Sequence, residues 1–314
     1  MKRFFEYSFF ICFLLFLLLF PEESAESAKS GLMLWFYTLL PSMLPFMILS
    51  GILMKAGFIE KVLSFTKGYW KSVFHLSPMG GYGLLMEIFC GYPMGAKTAA
   101  DLYQCRRISR QEACYLLSFS SHPGPAFLSS YLCAGLLHNE QLILPSYILL
   151  YFSSFLSSLL FRRLYPSDLD FQETSNRKET SSVFSLGEAL DASIMNSFVS
   201  ITKLGGYIIL FSLFQGILKM LPYPPPDLKC LLLGFTEITT GTMAITERNW
   251  KLSLSYPLTL AFTAFGGLCI IFQTKSMLND TDLPLTPYLK GKCCSFFLTL
   301  ILGTLFIKII EIIV

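Results

Sequence analysis

Two glutamates lie in strongly apolar stretches of this chain, and each is followed by residues that break a helix. Glu87 starts the sequence EIFCGYPMGAK and Glu237 starts EITTG, so both share the pattern Glu-Ile-x-x-Gly. A carboxylate and a broken backbone are costly in hydrocarbon, so they should face protein or a water-filled cavity. We expect each glutamate to bind a coupling cation, H⁺ or Na⁺, at the tip of a broken helix. The structural alternative, that each carboxylate only accepts hydrogen bonds from backbone N–H groups freed by the break, stays open.

The residues after each glutamate could also bind an anion. A second half-helix is predicted to begin at Gly91-Tyr92-Pro93 and again at Thr239-Thr240-Gly241. The backbone N–H groups at such a start, together with the positive end of the helix dipole, suit a carboxylate or a phosphate. Lys97, one turn further on, could meet the same anion, although a lysine at the membrane surface explains it equally well. The glycines and the proline could alternatively serve only close helix packing.

A third break follows in the first half of the chain. Ser121-His122-Pro123-Gly124-Pro125 interrupts an apolar stretch, and two prolines around a glycine cannot continue a regular helix. In the second half, Gly266-Gly267 takes the corresponding place. His122 could relay protons beside the unwound helix, or it could be a packing residue. The full set of candidate substrate- or ion-binding residues is Glu87, Gly91, Tyr92, Pro93, Gly95, Lys97, Ser121, His122, Gly124, Glu237, Thr239, Thr240, Gly241 and Gly267.

The composition identifies the class of protein that must position these residues. Of the 314 residues, 53% are hydrophobic and only 14% are charged, whereas soluble domains carry about 25% charged residues. The chain is therefore predicted to be an all-α polytopic membrane protein in contact with the lipid bilayer. Its nine cysteines and three histidines lack metal-ligand spacing. Because the sequence contains no nucleophile–base motif, nucleotide-binding loop or nucleic-acid patch, we expect no enzyme, no cofactor, no metal and no nucleic-acid partner.

The hydropathy pattern predicts about seven membrane spans and two re-entrant helical hairpins. The hairpins are centred on the two Glu-Ile-x-x-Gly sequences, and an amphipathic helix over residues 57–76 is expected at the cytoplasmic surface. Residues 184–200 are predicted to form a second amphipathic segment, before the span over 201–221. The first apolar run could alternatively be a cleaved signal sequence. The predicted spans, some of them broken, are residues 4–20, 31–54, 113–137, 142–161, 201–221, 253–273 and 294–314.

Four segments follow from this pattern. Residues 1–30 form an N-terminal transmembrane helix and a short external segment, residues 31–163 form a first repeat, residues 164–182 form a cytoplasmic linker, and residues 183–314 form a second repeat. With this topology 18 of the 24 lysines and arginines are cytoplasmic, as the positive-inside rule expects. The first hairpin then opens to the cytoplasm and the second to the outside. Such an inverted repeat indicates a transporter site near the middle of the membrane.

Several motifs resemble those of a known family. LPSMLPF (40–46), CGYPMGAK (90–97), RISRQEA (107–113) and SHPGPAF (121–127) resemble the nucleoside-recognition, or Gate, domain family, and the resemblance covers roughly residues 31–314. That family also supplies the membrane part of ferrous-iron transporters and is related to concentrative nucleoside transporters. The resemblance implies an inverted-repeat transporter fold in which hairpin tips and broken helices form the substrate site.

The resemblance is to sporulation membrane proteins of this family, and it also implies a function. It implies a spore-forming bacterium, a membrane of the developing spore or of the mother cell, and dipicolinate as the substrate. We therefore expect a secondary transporter of a small anionic solute, coupled to H⁺ or Na⁺. Two other functions stay open, namely a non-transporting membrane scaffold for assembly of the spore cortex or coat, and a nucleoside-type transporter. A homo-oligomer also stays open.

Overall fold

The computed structural model describes residues 11–313 except 12, 57–62, 64, 126, 167–184 and 249. Three expectations fall wholly or partly outside these residues: the start of the first apolar run, the amphipathic segment and the polar linker. Throughout the described part the regular structure is helical and no strand occurs. This confirms the all-α fold.

The helices follow the chain in two series. In the first half they are α1 (Pro21–Met33), α2 (Leu40–Lys55), α3 (Pro78–Cys90), α4 (Met94–Gln104), α5 (Arg110–Phe119), α6 (Phe127–Leu136) and α7 (Ile143–Phe161). In the second half they are α8 (Leu186–Met220), α9 (Pro226–Thr236), α10 (Ile238–Thr246), α11 (Leu252–Phe265), α12 (Gly267–Leu278) and α13 (Thr286–Ile313). A π-helical stretch, Leu34–Leu39, joins α1 to α2, and α6 is itself π-helical. Residues 21–30, which we expected outside the membrane, are thus part of a helix.

Four helical stretches of described residues are long and apolar enough to cross a membrane, namely Glu140–Phe161, Leu186–Met220, Leu252–Leu278 and Thr286–Ile312. A fifth span results if Pro21–Leu39 and Met43–Leu53, which meet at 49°, are counted as one. The protein is therefore a multi-pass membrane protein. The count is lower than the seven predicted spans for two reasons. The break divides 113–137 into α5 and α6, each too short to cross alone, and much of 4–20 lies outside the described residues.

Helix α8 is one continuous helix of 35 residues, although the sequence predicted an amphipathic segment over 184–200 and a separate span over 201–221. There is no proline between these two parts. The Ser185 side chain caps the start of α8 by accepting a hydrogen bond from the Glu188 N–H. Along its length α8 packs against α1 and α2. Nothing in the local sequence therefore requires the helix to end where the two predicted parts meet.

Helix α13 joins the two halves. It packs against α11 of its own half and against α5 and α7 of the first half. At Gly291 it approaches α5 so closely that an added Cβ would overlap the Ser118 carbonyl. One face of α13 carries buried polar side chains at helical spacing, namely Tyr288, Lys292, Ser295 and Thr299. The broken helices of both halves thus share one neighbour.

A second contact between the halves lies on exposed loops. Asp282, between α12 and α13, accepts a hydrogen bond from the Tyr103 hydroxyl (2.7 Å) at the end of α4. It also pairs with Nε of Arg110 (3.1 Å) at the start of α5. An exposed ion pair of this kind stabilises a fold only slightly. Its effect is to place the loop before α13 beside the first half of the chain.

Gly291→Ala should push α13 away from α5 and destabilise the protein by about 1–3 kcal/mol, the usual effect of overfilling a packed interior. The melting temperature of the purified protein in detergent, followed by tryptophan fluorescence, should fall. Gly206→Ala on the exposed side of α8 is the matched control, because an added Cβ there has no atom within 4 Å. Since alanine also favours a helix over glycine, this control should melt at the same temperature or higher. Equal melting temperatures for the two variants would contradict the close contact.

Candidate functional site

Glu87 lies in the last turn of α3, fully buried, with both carboxylate oxygens occupied. Its Oε2 accepts a hydrogen bond from the Gly95 N–H (2.5 Å) in the first turn of α4. Its Oε1 accepts one from the His122 N–H (2.5 Å) in the break after α5. One carboxylate therefore holds together the end of α3, the start of α4 and the first helix break. We call the segment from Glu87 to Gly95 the first tip.

Glu237 takes the corresponding place between α9 and α10, at what we call the second tip (Glu237 to Gly241). Its side chain caps α10, because Oε1 accepts a hydrogen bond from the Thr239 N–H (2.9 Å) and Oε2 accepts one from the Thr240 N–H (3.1 Å). The Thr239 hydroxyl also donates to Oε2. Gln215 on α8 donates its side-chain N–H to the same oxygen (3.4 Å). A carboxylate at the start of a helix is favoured both as a cap and by the helix dipole.

The hydrogen bonds expected from the structural alternative are present at both glutamates, because each carboxylate accepts hydrogen bonds from backbone N–H groups released by a break. The same contacts correct the expectation that these N–H groups are open to an anion. At the first tip the Tyr92 N–H is occupied as well, since it donates to the His122 carbonyl (2.7 Å). An anion could reach the N–H groups that Glu87 and Glu237 occupy only by displacing a glutamate. A coupling-ion role for either residue stays a prediction.

Each tip packs against the break in the next broken helix along the chain. Gly91, at φ +77°, lies against the Gly124 backbone, and an added Cβ would overlap the Gly124 nitrogen. At the second tip, Gly267 (φ +78°) lies so close that an added Cβ would be 3.0 Å from the Glu237 Cα. Only glycine adopts positive φ readily and leaves room for such an approach. Backbone therefore meets backbone at both tips.

A cavity of about 290 Å³ lies between the two tips. Its wall includes Phe89 and Tyr92 of the first tip, Glu237 and Thr239 of the second tip, and Gly124 of the first break. Residues of α12, directly after the second break, close another side. Most of the lining is apolar or aromatic, and its oxygen- or nitrogen-bearing side chains are Thr38, Tyr92, Tyr131, Glu237, Thr239 and Gln273. Such a wall suits a small solute with an apolar face and few polar groups.

Two tyrosines, Tyr92 and Tyr131, contribute phenol groups to this wall. The Tyr92 hydroxyl is buried and has no hydrogen-bond partner among the described residues. The Tyr131 hydroxyl donates to the Thr239 carbonyl (2.8 Å) and so ties α6 to the second tip. Tyr131 and Gln273 were not predicted as site residues. The one sequence signal for them is their position about two helical turns beyond a break.

The structure brings most of the predicted residues together around the tips. Tyr92, Gly124, Glu237 and Thr239 line the cavity. Lys97 lies apart from it and pairs with Asp101 one turn further along α4 (3.0 Å), which favours the interpretation as a surface lysine. Thr240 is a half-buried residue of the second tip. The remaining predicted residues are buried and do not line the cavity, namely Glu87, Gly91, Pro93, Gly95, Ser121, His122, Gly241 and Gly267.

His122 contributes to the site mainly through its backbone. Its N–H binds Glu87 and its carbonyl binds the first tip. The ring is buried, and neither ring nitrogen has a hydrogen-bond partner among the described residues. The ring centroid lies 5.7 Å from that of Tyr151 on α7. These contacts fit the packing alternative, and a proton relay through His122 stays a prediction.

Lys292 is a buried charged residue beside the site that was also not predicted from the sequence. Its Nζ is buried and donates hydrogen bonds to the carbonyls of Ser121 (3.0 Å) and Ala264 (2.9 Å). The predicted last span began at residue 294, which left Lys292 in the preceding loop, whereas α13 begins at Thr286. The available signal was the helical spacing of polar residues that Lys292 shares with Tyr288, Ser295 and Thr299 at the start of an apolar run.

Glu237→Ala should loosen the second tip, because it removes the acceptor for the first N–H groups of α10. Loss of such a cap costs about 1–2 kcal/mol. Since about 1.4 kcal/mol is a factor of ten, the amides of residues 239–241 should exchange with deuterium roughly tenfold faster, as measured by mass spectrometry. Glu247→Ala, at the exposed end of α10, is the matched control and should leave that exchange unchanged. Unchanged exchange in both variants would show that Glu237 does not hold the tip.

Comparison with known proteins gives one relative that accounts for most of the chain. It is the sporulation integral membrane protein YlbJ of Bacillus subtilis (strain 168), which is 27% identical over 313 aligned residues. The alignment covers 90% of this chain and 77% of the relative. No protein-family model and no solved structure matches the chain. The chain is thus similar, over nearly its whole length, to an integral membrane protein of sporulation, as its motifs indicated.

Proposed function

We propose that this protein is a secondary transporter that carries a small solute through the cavity between its two tips. The observation that carries this proposal is that one cavity is bounded by both tips, by the first helix break and by the helix that follows the second. In transporters of this kind, discontinuous helices meet at the substrate site, and their movement opens it to one side at a time. Transport needs no covalent chemistry from the chain, and we assign it no catalytic reaction.

The two halves, in this proposal, form an inverted repeat with re-entrant hairpins. The hairpin α3–α4 corresponds to the hairpin α9–α10. The broken helix α5–α6 corresponds to α11–α12, and the last helix of the first half, α7, corresponds to the last helix of the second half, α13. The shared local geometry supports this correspondence. In each half a glutamate binds N–H groups after a break, and a glycine with positive φ brings tip and break together. Alternating access would separate Gly91 from Gly124 on one side, and Gly267 from Glu237 on the other.

The substrate that we propose is a small planar anion, with dipicolinate as the first candidate. The cavity volume of about 290 Å³ lies just below the usual range for ligand pockets, about 300–1,000 Å³, and so suits a small solute. Aromatic residues such as Phe89, Phe127 and Tyr131 line it, which suits a single ring. The relative from Bacillus subtilis is a sporulation integral membrane protein. The protein would then act in the membrane of the developing spore or of the mother cell.

An anionic solute in this cavity would require a counter-charge, because the Glu237 carboxylate lies on the wall. Like charges repel strongly where water is excluded. A proton on Glu237 would remove the repulsion, and a sodium ion bound beside it would offset the repulsion. Proton coupling needs no additional ligands, and so we propose H⁺ as the coupling ion. Glu237 would carry the proton and the aromatic wall would hold the ring.

Uptake into proteoliposomes tests the transport proposal directly. With the membrane potential clamped, wild-type protein should accumulate labelled dipicolinate when the outside is more acidic. If one proton moves with each solute, accumulation at equilibrium should be about tenfold per pH unit. Glu237→Gln should still equilibrate the solute but should not accumulate it, because the amide cannot carry the proton.

Three controls complete this experiment. Glu247→Gln should accumulate dipicolinate like the wild type, because Glu247 lies on the exposed end of α10. A sodium gradient at equal pH should drive no accumulation above equilibrium, and accumulation under that gradient would assign the coupling to Na⁺. Unlabelled nucleosides should not compete. Competition by nucleosides would favour a nucleoside-type transporter, and the lack of saturable uptake of either solute would contradict transport.

Sporulation provides a second test. Glu87→Gln and Gly91→Leu should each reduce spore dipicolinate content and heat resistance several-fold in a spore-forming host whose own copy is deleted. Glutamine has one side-chain oxygen, so it can accept only one of the two N–H hydrogen bonds that Glu87 accepts. Leucine at position 91 would not fit against the Gly124 backbone and would disfavour the positive φ angle there. Membrane levels of each variant should be matched by immunoblot. If both variants at normal levels support wild-type spores while the deletion does not, the scaffold alternative is favoured.

A further inference from the structure

Lys292 connects the two broken helices through a single ammonium group. The Ser121 carbonyl lies in the unwound segment just beyond α5, and the Ala264 carbonyl lies in the last turn of α11. Both acceptors are therefore at the C-terminal ends of half-helices, where carbonyls lack helical partners and the helix dipole is negative. One belongs to each half of the chain. A cation at this point is favoured by both helix ends at once.

Two aromatic rings complete the surroundings of this ammonium. Nζ of Lys292 lies 4.8 Å from the ring centroid of Tyr92 and 5.6 Å from that of Tyr288. These distances are within the range of a cation–π interaction, which is strongest where water is excluded. Tyr92 also lines the proposed substrate cavity. The lysine thus stands directly behind one wall of that cavity.

The charge of Lys292 is connected to Glu87 through one peptide group. The Ser121–His122 peptide accepts a hydrogen bond from Lys292 at its carbonyl and donates one to Glu87 from its N–H. The peptide dipole therefore points its negative end at the ammonium and its positive end at the carboxylate. Opposite charges at the two ends of one peptide group also attract each other. A buried charge needs such compensation, since an unpaired one is very costly.

We infer that Lys292 is a tethered cation that fills a built-in monovalent cation site between the two halves. The ligands of this site are the carbonyls of Ser121 and Ala264 and the faces of Tyr92 and Tyr288, and its counter-charge is Glu87. Backbone carbonyls arranged around a cation are also how proteins replace the hydration shell of K⁺. If the side chain is shortened to alanine, the carbonyls remain while the charge is lost. The vacated site should then take Na⁺ or K⁺ from solution.

Melting in detergent tests this inference without any transported solute. Lys292→Met, which keeps the side-chain length but removes the charge, should lower the melting temperature by roughly 5–10 °C, because Glu87 and two carbonyls lose their partner. Lys292→Ala should be similarly weakened in choline chloride. Replacing choline with NaCl or KCl at equal ionic strength should return at least about 3 °C of this loss. Wild-type protein should show no such difference between the salts.

The chain offers a matched control and a second measurement. Lys290→Met removes a charge two residues away on the exposed face of α13 and should leave the melting temperature unchanged. If Lys292→Met does not accumulate, its amount in membranes is compared with that of the double variant Glu87→Gln/Lys292→Met. The double variant should accumulate several-fold more, because it leaves no unpaired charge.

Three results would overturn the tethered cation: a Lys292→Met protein as stable as wild type, no effect of Na⁺ or K⁺ on purified Lys292→Ala, or a double variant no more abundant than a failing single one. None of these measurements depends on uptake, so results that overturn the tethered cation would leave the transport proposal intact.

Discussion

Backbone polar groups released where a helix breaks in the buried interior of a protein need partners from the protein itself, and this constraint governs the whole site. The chain breaks its helices near Gly91, Gly124, Glu237 and Gly266, and at each break it supplies partners from its own side chains and backbone. Glu87 and Glu237 bind N–H groups at the starts of half-helices. Lys292 binds carbonyls at the ends of two others. Acidic groups meet helix N-termini and a basic group meets C-termini, as the helix dipole requires.

The same arrangement determines what the cavity can do. The N–H groups that Glu87 and Glu237 occupy are satisfied by protein, so a solute must be recognised by the aromatic wall and by a few polar side chains. Glu237 is part of both the helix cap and the cavity wall, because it caps α10 and also lines the cavity. A change in its charge would therefore alter the second tip and the solute environment together. In the transport mechanism that we propose, this double position is the reason for assigning proton coupling to Glu237.

Much of this could be read from the sequence. The apolar composition and low charge led to a helical membrane protein, and the pairing of a glutamate with helix-breaking residues located both tips. Those signals are local, because a helix ends where Gly or Pro cannot continue it. The partners of the glutamates could not be read in the same way. The N–H of His122 lies 35 residues from Glu87 along the chain, and only packing of the first tip against the first break brings the two together.

The sequence by itself determined the helical class, the membrane environment, the positions of the breaks and the similarity to a sporulation membrane protein, since each depends on composition or on neighbouring residues. The tertiary structure decided which groups are free to act. In the folded protein, carboxylates bind the N–H groups at the tips, and Lys97 lies outside the cavity. Lys292, near the start of α13, contacts both halves of the chain. The physical reason is that a buried charge is stabilised by partners on other helices. The order of residues along the chain does not give the distances between such partners.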